Sequence, residues 1–199
     1  MKKLAALVVA VALLASGVAG AADKFLMPPA GMNTLRFQNG ITIEIPDNWI
    51  LLQSKINLFN AARHDDKGNA FAFLIIQKIN ASLPVTHDDI RKMSDSVKKN
   101  FLDSFVESYQ KSQNMSSEIQ DRKILASDII ELNGFTTIII ISSGIINAQP
   151  VIIETKTVAL KDGFVQLTYW CLKKEFEKNI KEFVAIGESF IPGTGGIKK

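Results

Sequence analysis

Two histidines, each followed by two aspartates, are the residues whose types and spacing could bind a metal ion. His64 lies in the sequence RHDDKGN and His87 in THDD. Imidazole nitrogens and carboxylate oxygens are ligands for divalent metals, so a fold that brought His64, Asp65, His87 and Asp88 together could hold a cation. The two groups are 23 residues apart. Turn formation at the first group and helix initiation at the second explain both without a metal, and we predict no metal site.

Two other side chains could take part in chemistry or recognition. Cys171 is the only cysteine, which excludes an intramolecular disulfide, and its apolar setting FVQLTYWCL favours a buried small hydrophobic residue over a nucleophile. Trp49 follows a strand that ends at Pro46, and it could stack on a ligand or close one end of a core; the core interpretation is favoured. Trp49, His64 and His87 are the candidate contacts to a ligand or partner.

Known catalytic and nucleotide-binding motifs are missing from the sequence. The chain contains no GxGxxG, Walker-type loop, HExxH or CxxC. We therefore predict no catalytic residue and no cofactor. A hydrolase assembled from residues scattered in the sequence is the weakest of the functional hypotheses.

The elements that must position these residues begin with two hairpins. Residues TLRFQNGITIEIP form the first, because Asn39-Gly40 is a strong two-residue turn signal and Ile41, Ile43 and Ile45 alternate with polar residues. The second runs from INLFNAARH through the polar turn DDKGN into AFAFLIIQKI. Its return strand is nearly all apolar, which indicates a position inside the sheet.

A change of period after residue 85 predicts a helix from Thr86 to Ser112. Apolar residues recur there every three or four positions, and Thr86 with Asp89 forms an aspartate version of the capping box. Four antiparallel strands follow, at Lys123–Leu132, Phe135–Ile146, Val151–Lys161 and Phe164–Leu172, joined by short turns that contain Asn or Asp. Helical spacing returns in LKKEFEKNIKEFVAIGESF.

Four consecutive isoleucines, Ile138–Ile141, make a specific demand on this architecture. The run is too short to cross a bilayer as a helix, and its β-branched residues favour a strand. Since side chains alternate between the two faces of a strand, both faces of the sheet must be covered here. The two predicted helices can cover one face; another helical segment, the N-terminal lead-in or a partner is needed for the second.

The N-terminus has the three parts of a secretory signal. Lys2 and Lys3 precede an apolar stretch from Leu4 to Leu14, and Ala19-Gly20-Ala21 predicts cleavage between Ala21 and Ala22. No cysteine lies near that site, so we expect a periplasmic or secreted protein without a lipid anchor. Removal of two lysines and no acids lowers the formal charge from +3 to +1, which excludes the electrostatic pattern of a nucleic-acid-binding protein.

The predicted organisation is a signal peptide at 1–21, an irregular lead-in at 22–33, a single domain at 34–191 and a flexible tail at 192–199. Its element order resembles the PsbP-like superfamily. The likeness is carried by ITIEIPDNW (residues 41–49), NGFTTIIII (133–141), KDGFVQLTYWC (161–171) and GESF (187–190). It implies an α+β fold, with an α/β/α sandwich around a mainly antiparallel sheet of about six to eight strands. The chain is most similar to the bacterial DcrB-like cell-envelope proteins, although it lacks their lipobox cysteine.

The resemblance implies a binding or assembly factor and not an enzyme. The first hypothesis is therefore an exported, non-enzymatic periplasmic protein that binds an envelope protein, as a monomer or homodimer, and meets the membrane only through that partner. The alternative is a carrier of a small apolar ligand or lipid held between sheet and helix, suggested by the aliphatic residues around Ile138–Ile153.

Overall fold

A computed structural model describes residues 34–36, 40–52, 59–79, 85–114, 119–160, 163–191 and 193. The predicted signal peptide with Ala21 and Ala22, the lead-in 22–33 and the tail apart from Gly193 lie outside the described residues. Asn39 of the first predicted turn also lies outside them.

Seven antiparallel strands form the main sheet, in the order β3-β4-β5-β9-β8-β7-β6. Their bounds are β3 Trp49–Leu52, β4 Phe59–His64, β5 Ala70–Ile79, β6 Gln120–Leu132, β7 Phe135–Ile146, β8 Gln149–Leu160 and β9 Gly163–Leu172. Two meanders, β3 to β5 and β6 to β9, meet where β5 pairs with β9. The strand count and antiparallel pairing agree with the predicted fold class.

A separate two-stranded sheet precedes the main one and corresponds to the first predicted hairpin. It consists of β1 (Thr34–Arg36) and β2 (Thr42–Glu44). The prediction that Trp49 lies beyond a strand end was incomplete, because Trp49 is itself the first residue of β3. This strand is short and follows a turn closed by the Trp49 N–H, which donates to the Pro46 carbonyl at 3.1 Å.

The helix predicted as one element from Thr86 to Ser112 is two. Helix α1 spans His87–Lys92 and α2 spans Asp95–Asn114. Met93 adopts an extended conformation that ends α1, and the Lys98 N–H donates to the Ser94 carbonyl at 2.8 Å to begin α2. Serine is a preferred residue at the start of a helix. Ser94 therefore signals a new helix, but the apolar residues recur every three or four positions on both sides of it, which hid the break in the sequence. The predicted capping box of Thr86 and Asp89 is present.

The last helix, α3 (Phe176–Ser189), follows a 3₁₀ turn at Lys173–Glu175. Its C-terminal end is tied to the turn between β6 and β7, where the Asn133 side-chain amide donates to the carbonyls of Glu188 and Phe190, each at 2.7 Å. Asn133 and Gly134 both have positive φ, 50° and 80°, as a tight hairpin turn of this kind requires. The Asn-Gly pair thus also fixes the end of a helix.

Helices cover both faces of the sheet, which corrects the expectation that both would lie on one. We call the side bearing Leu167 and Tyr169 the front face; α3 and the β1–β2 sheet pack there. The other side is the back face, and α1 and α2 pack on it. Strand β9 is the central strand of the sheet, and the helix that follows it crosses the front face. The chain thus forms the predicted α/β/α sandwich.

The isoleucine run occupies the sheet interior as predicted. Ile138 and Ile140 lie on the back face in the cluster beneath α2. Ile139 and Ile141 point to the front and are 4% and 3% exposed. Both faces of this strand are therefore shielded from water.

Candidate functional site

Trp49 is a core residue and not a ligand platform. Its ring is fully buried and meets Phe183 of α3 edge-on, with 6.2 Å between ring centroids. Its indole N–H donates to Glu182 Oε1 at 2.8 Å, and Arg63 donates to the same carboxylate at 2.7 Å. Arg63 also donates to Asn179 Oδ1 at 2.7 Å. These contacts fix α3 to the sheet at β3 and β4 and give Trp49 the core position that the sequence analysis favoured.

His87 has a structural role at the start of α1. Its Nδ1 accepts the backbone N–H of Thr136 at 2.9 Å and lies 3.0 Å from the Thr136 hydroxyl. The ring also packs 5.8 Å from Phe135. The imidazole therefore joins α1 to the first residues of β7, and no ligand contact is assigned to it.

The fold separates the two histidines. His64 pairs with Ala70 at the start of β5. His87 contacts Thr136, which is next to Thr137 on β7. Thr137 is in the same cross-strand row as Val158, Val165 and Lys78, and Lys78 is near the end of β5. A strand rises about 3.4 Å per residue, so the length of β5 places the two histidines roughly 30 Å apart. The described residues contain no group of three or more metal-ligating side chains. The two histidine–aspartate groups cannot form one site.

Cys171 lies on the front face of β9 and is fully buried. Burial raises the pKa of its thiol to about 12, and the charges of Glu175 and Glu154 act in the same direction. A thiol that stays protonated is a poor nucleophile. The predicted role as a small core residue agrees with this position.

A buried ion pair lies beneath α3 on the front face of β8. Lys156 Nζ is 3.1 Å from Glu154 Oε1, and both side chains are almost completely inaccessible to water. No donor among the described residues is well aligned with either carboxylate oxygen, so the contact with Lys156 is mainly one of charge. The ammonium also lies 5.2 Å from the centre of the Tyr169 ring. Burial raises the pKa of Glu154 to about 7, which outweighs the lowering by Lys156.

The back face between β5 and β9 carries an aromatic pair. Phe73 and Trp170 are directly paired across the strands, and their rings stack with centroids 4.2 Å apart and planes 15° apart. Both side chains are half-buried. Among the described residues, the clusters beneath α1 and α2 contain no member of β3 or β4, and only Ile79 from β5. The stacked rings therefore lie at the margin of the cluster beneath α2, against which Trp170 itself packs.

Polar side chains continue from the aromatic pair along the same two strands. Thr168 and Gln166 of β9 are buried, at 0% and 6% exposure, and Gln77 lies across from Gln166 on β5. The Gln77 amide donates to Gln166 Oε1 at 2.9 Å, and the Gln166 amide donates to the Thr157 hydroxyl at 3.2 Å. A chain of side-chain hydrogen bonds thus crosses three strands of the back face.

Three polar atoms of this region have no hydrogen-bond partner among the residues that the structure describes. They are Gln77 Oε1, Thr168 Oγ1 and Trp170 Nε1, all buried. Leaving a buried polar group unpaired costs roughly 1–3 kcal/mol, and natural proteins avoid it away from functional sites. We define the aromatic–polar patch as Phe73, Gln77, Gln166, Thr168 and Trp170. It offers an acceptor, a hydroxyl and a donor beside two rings, and none of its residues carries a charge.

A concave feature lies elsewhere, at the opposite end of β9 from its turn with β8. It is an open groove of about 530 Å³, lined by Gln149, Pro150, Leu172, Lys173, Lys174 and Glu177. None of the buried, unpartnered polar atoms belongs to this groove. The aromatic–polar patch is therefore the better candidate site.

No helix in the described part of the chain combines the length and the apolar character that a membrane span needs.

Comparison with known proteins identifies the fold. No protein-family model and no curated protein matches the sequence. Among solved structures, LpqN of Mycobacterium tuberculosis, described as involved in cell envelope biogenesis, is 15% identical, with 79% of this chain and 87% of that chain covered and a TM-score of 0.51. A Pseudomonas aeruginosa protein of unknown function, described as a possible regulator, is 12% identical, with 81% and 96% covered and a TM-score of 0.50.

The chain has the α+β fold that its sequence predicted, a seven-stranded antiparallel sheet with helices, and it shares this fold with these two solved structures. Cyanobacterial PsbP from Synechocystis is also similar, at 11% identity and a TM-score of 0.49, with 88% of this chain and 96% of that chain covered. Identities this low concern the fold alone. The finer likeness to DcrB-like proteins stays a prediction.

The patch was missed in the sequence although part of its signal was visible. In FVQLTYWCL, Gln166, Thr168 and Trp170 alternate with apolar residues, which marks one face of β9 as chemically distinct. Its partner residues on β5 lie almost a hundred positions earlier. Only the pairing of β5 with β9 brings Phe73 onto Trp170.

Proposed function

We propose that the protein is an exported, non-enzymatic factor of the cell envelope that binds an extended segment of a partner protein at the aromatic–polar patch. The observation that carries the proposal is the set of three unpartnered polar atoms beside the stacked rings of Phe73 and Trp170. A bound peptide that displaces whatever buries these atoms in the free chain would supply the missing donors and acceptor.

The spacing of the patch suits a peptide. Its rows, Phe73–Trp170, Ile75–Thr168 and Gln77–Gln166, succeed one another every two residues, which is about 7 Å along a strand. An extended peptide repeats its amides and side chains at the same interval. The rings would pack against a side chain, and the polar atoms of Gln77 and Thr168 would meet successive main-chain groups.

The absence of charge at the patch supports binding over chemistry. Gln, Thr, Trp and Phe provide no general acid, general base or activated nucleophile at ordinary pH. Glu154, Tyr169 and Cys171, whose pKa values burial raises, lie on the other face beneath α3. The similarity to LpqN, an envelope biogenesis protein, supports an envelope role for this fold.

The alternative of an apolar carrier has less support. Between α3 and the sheet, the space is occupied by the fully buried rings of Trp49, Tyr169 and Phe183, the last two stacked 5.2 Å apart. An apolar ligand at the patch would leave the hydroxyl of Thr168 and the indole N–H of Trp170 unsatisfied. Sites with unpaired polar groups discriminate against ligands that cannot bond to them.

The test uses a photoreactive phenylalanine analogue at position 73 and crosslinking in the native envelope. We expect one specific protein adduct. Thr168→Val should weaken capture about five-fold, the equivalent of about 1 kcal/mol for one hydrogen bond. Tyr169→Phe is the matched control, because it removes a buried, unpartnered hydroxyl from the adjacent residue on the opposite face.

Two results would contradict the proposal. One is the absence of a specific adduct at position 73 in the envelope. The other is an adduct that Thr168→Val and Tyr169→Phe weaken equally, which would point to a general loss of stability. Mass spectrometry of the gently purified protein tests the alternative function, since a bound lipid would favour a carrier of apolar ligands.

A further inference from the structure

Asn133, in the turn between β6 and β7, holds the C-terminal end of α3. Its side-chain amide nitrogen donates to the carbonyls of Glu188 and Phe190, each at 2.7 Å. The last carbonyls of a helix have no hydrogen-bond partner within the helix itself. A side chain of the turn therefore caps a helix end that lies 55 positions later in the chain, at Glu188.

Gly134 makes this asparagine open to a chemical change. Asparagine loses its side-chain amide most readily before glycine, because glycine has no side chain that hinders its nitrogen. Both residues are exposed, and a methyl group built at Gly134 would meet no atom within 4 Å beyond its chain neighbours. The Gly134 nitrogen attacks Asn133 Cγ and gives up its proton, the Cγ–Nδ2 bond breaks, and ammonia leaves. Water then opens the cyclic imide to aspartate or isoaspartate.

The product of this reaction cannot make the contacts of the amide. A carboxylate at ordinary pH has no hydrogen to donate, so it would face the carbonyl oxygens of Glu188 and Phe190 as acceptor against acceptor. The C-terminal end of a helix also carries a partial negative charge. The last turn of α3, which the structure describes in full, contains no basic residue to compensate. Deamidation therefore turns an attraction into a repulsion.

We propose that Asn133 is a site of deamidation and that its conversion releases the end of α3 from the β6–β7 turn. In the intact protein both hydrogen bonds hold the amide, so the reaction waits until this end of the helix frays. The new carboxylate then prevents the end from docking again. The change is therefore a one-way latch.

Contacts with β2 limit how far the helix moves. The Glu44 N–H donates to Ser189 Oγ at 2.9 Å, and the Thr42 N–H donates to the Ile191 carbonyl at 3.0 Å. These bonds do not involve Asn133, so the helix end loosens on the β6–β7 side and stays attached to β2. The change is independent of the aromatic–polar patch, which lies on the other face of the sheet.

Peptide mapping by mass spectrometry, on protein aged in neutral buffer, tests the site. Asn147 is an internal control, because it lies in another turn with positive φ but is followed by Ala148, whose methyl group hinders attack. We expect Asn133 to convert first. Ser189→Ala removes the hydroxyl that accepts the Glu44 N–H, which loosens the helix end and should speed the conversion of Asn133 about five-fold. The conversion of Asn147 should not change.

Hydrogen exchange of the backbone amides in the last turn of α3 tests the consequence. Asn133→Gly removes the two hydrogen bonds without adding charge, so exchange should become about ten-fold faster. Asn133→Asp adds the repulsion and should accelerate exchange further. Glycine and aspartate both tolerate the positive φ of this position, so the variants keep the turn.

The matched control is Asn147→Asp, which makes the same charge change in the turn between β7 and β8. It should leave exchange in α3 as in wild type. Three results would overturn the proposal: an Asn133 that stays intact while Asn147 converts, a conversion rate that Ser189→Ala does not change, or wild-type exchange of α3 in Asn133→Asp.

Discussion

The buried Glu154–Lys156 pair leads to a prediction about how stability depends on pH. Burial favours the neutral form of Glu154, whereas Lys156 favours the charged form, and the pKa of about 7 says that burial prevails. The folded chain then holds the Glu154 proton more tightly than the unfolded chain does. Unfolding free energy must therefore fall as pH rises from the ordinary carboxyl pKa through 7.

The magnitude follows from the two pKa values. Raising the pKa from 4.5 to about 7 corresponds to a loss of about 3 kcal/mol of unfolding free energy between acidic pH and pH above 7. Glu154→Gln removes the titration while keeping the shape of the side chain. Cys171 and Tyr169 face the same space and keep their protons in this range, because burial raises the pKa of each. The difference between variant and wild type therefore isolates Glu154.

Urea unfolding of wild type and Glu154→Gln between about pH 5 and about pH 8 provides the assay. The variant should gain about 3 kcal/mol on wild type across that interval. Lys156→Met should enlarge the loss and extend it to higher pH, since the carboxylate would then ionise without a counter-charge. Glu177→Gln, at an exposed position of α3, is the control for the charge change alone. The refuting result is an unfolding free energy of Glu154→Gln, relative to wild type, that stays constant or falls as pH rises. It would mean that the attraction of Lys156 outweighs burial in setting the pKa of Glu154.

Two further substitutions test local contacts by urea unfolding. In Gly187→Ala, the new methyl group would overlap Lys156 Nζ and lie 3.1 Å from Cε and 3.2 Å from Cδ. Because Lys156 is buried and cannot move away freely, we expect the unfolding free energy to fall by about 1–3 kcal/mol. The double variant Gly187→Ala/Lys156→Ala should recover part of that loss. Thr86→Ala removes the side-chain acceptor of the Asp89 N–H and should cost about 1 kcal/mol; an unchanged midpoint would show that α1 does not need its cap.

Local chemistry made the strands and turns of this fold predictable. Asn133-Gly134 and the polar stretch after His64 place two hairpins where the structure has them. The capping box at Thr86 located the start of α1 for the same reason: each signal lies within a few residues of the structure it specifies. The break at Ser94 was missed because the apolar period continues through it, and only the extended Met93 separates the helices.

Properties that depend on distant residues could not be predicted in this way. Nothing near α3 in the sequence indicates that it crosses the front face while α1 and α2 cross the back. Gly187 looks like an ordinary helical residue until Lys156 is found beneath it. The stacking of Phe73 on Trp170 depends on strand register, and Trp49 could be assigned to the core with certainty only through its contact with Glu182.

The junction of the two meanders has a consequence for how the chain acquires its structure. Neighbouring strands within each meander close short loops, as between Leu160 and Gly163, whereas Ala72 pairs with Cys171 and Ile79 with Phe164, 99 and 85 positions away. Closing so long a loop is entropically costly and slow, so the meanders should form early and join late. Until they join, the apolar margins of β5 and β9 stand open to other chains. The seam between Ala72 and Ile79 is therefore the place where chaperone binding would protect the folding chain best.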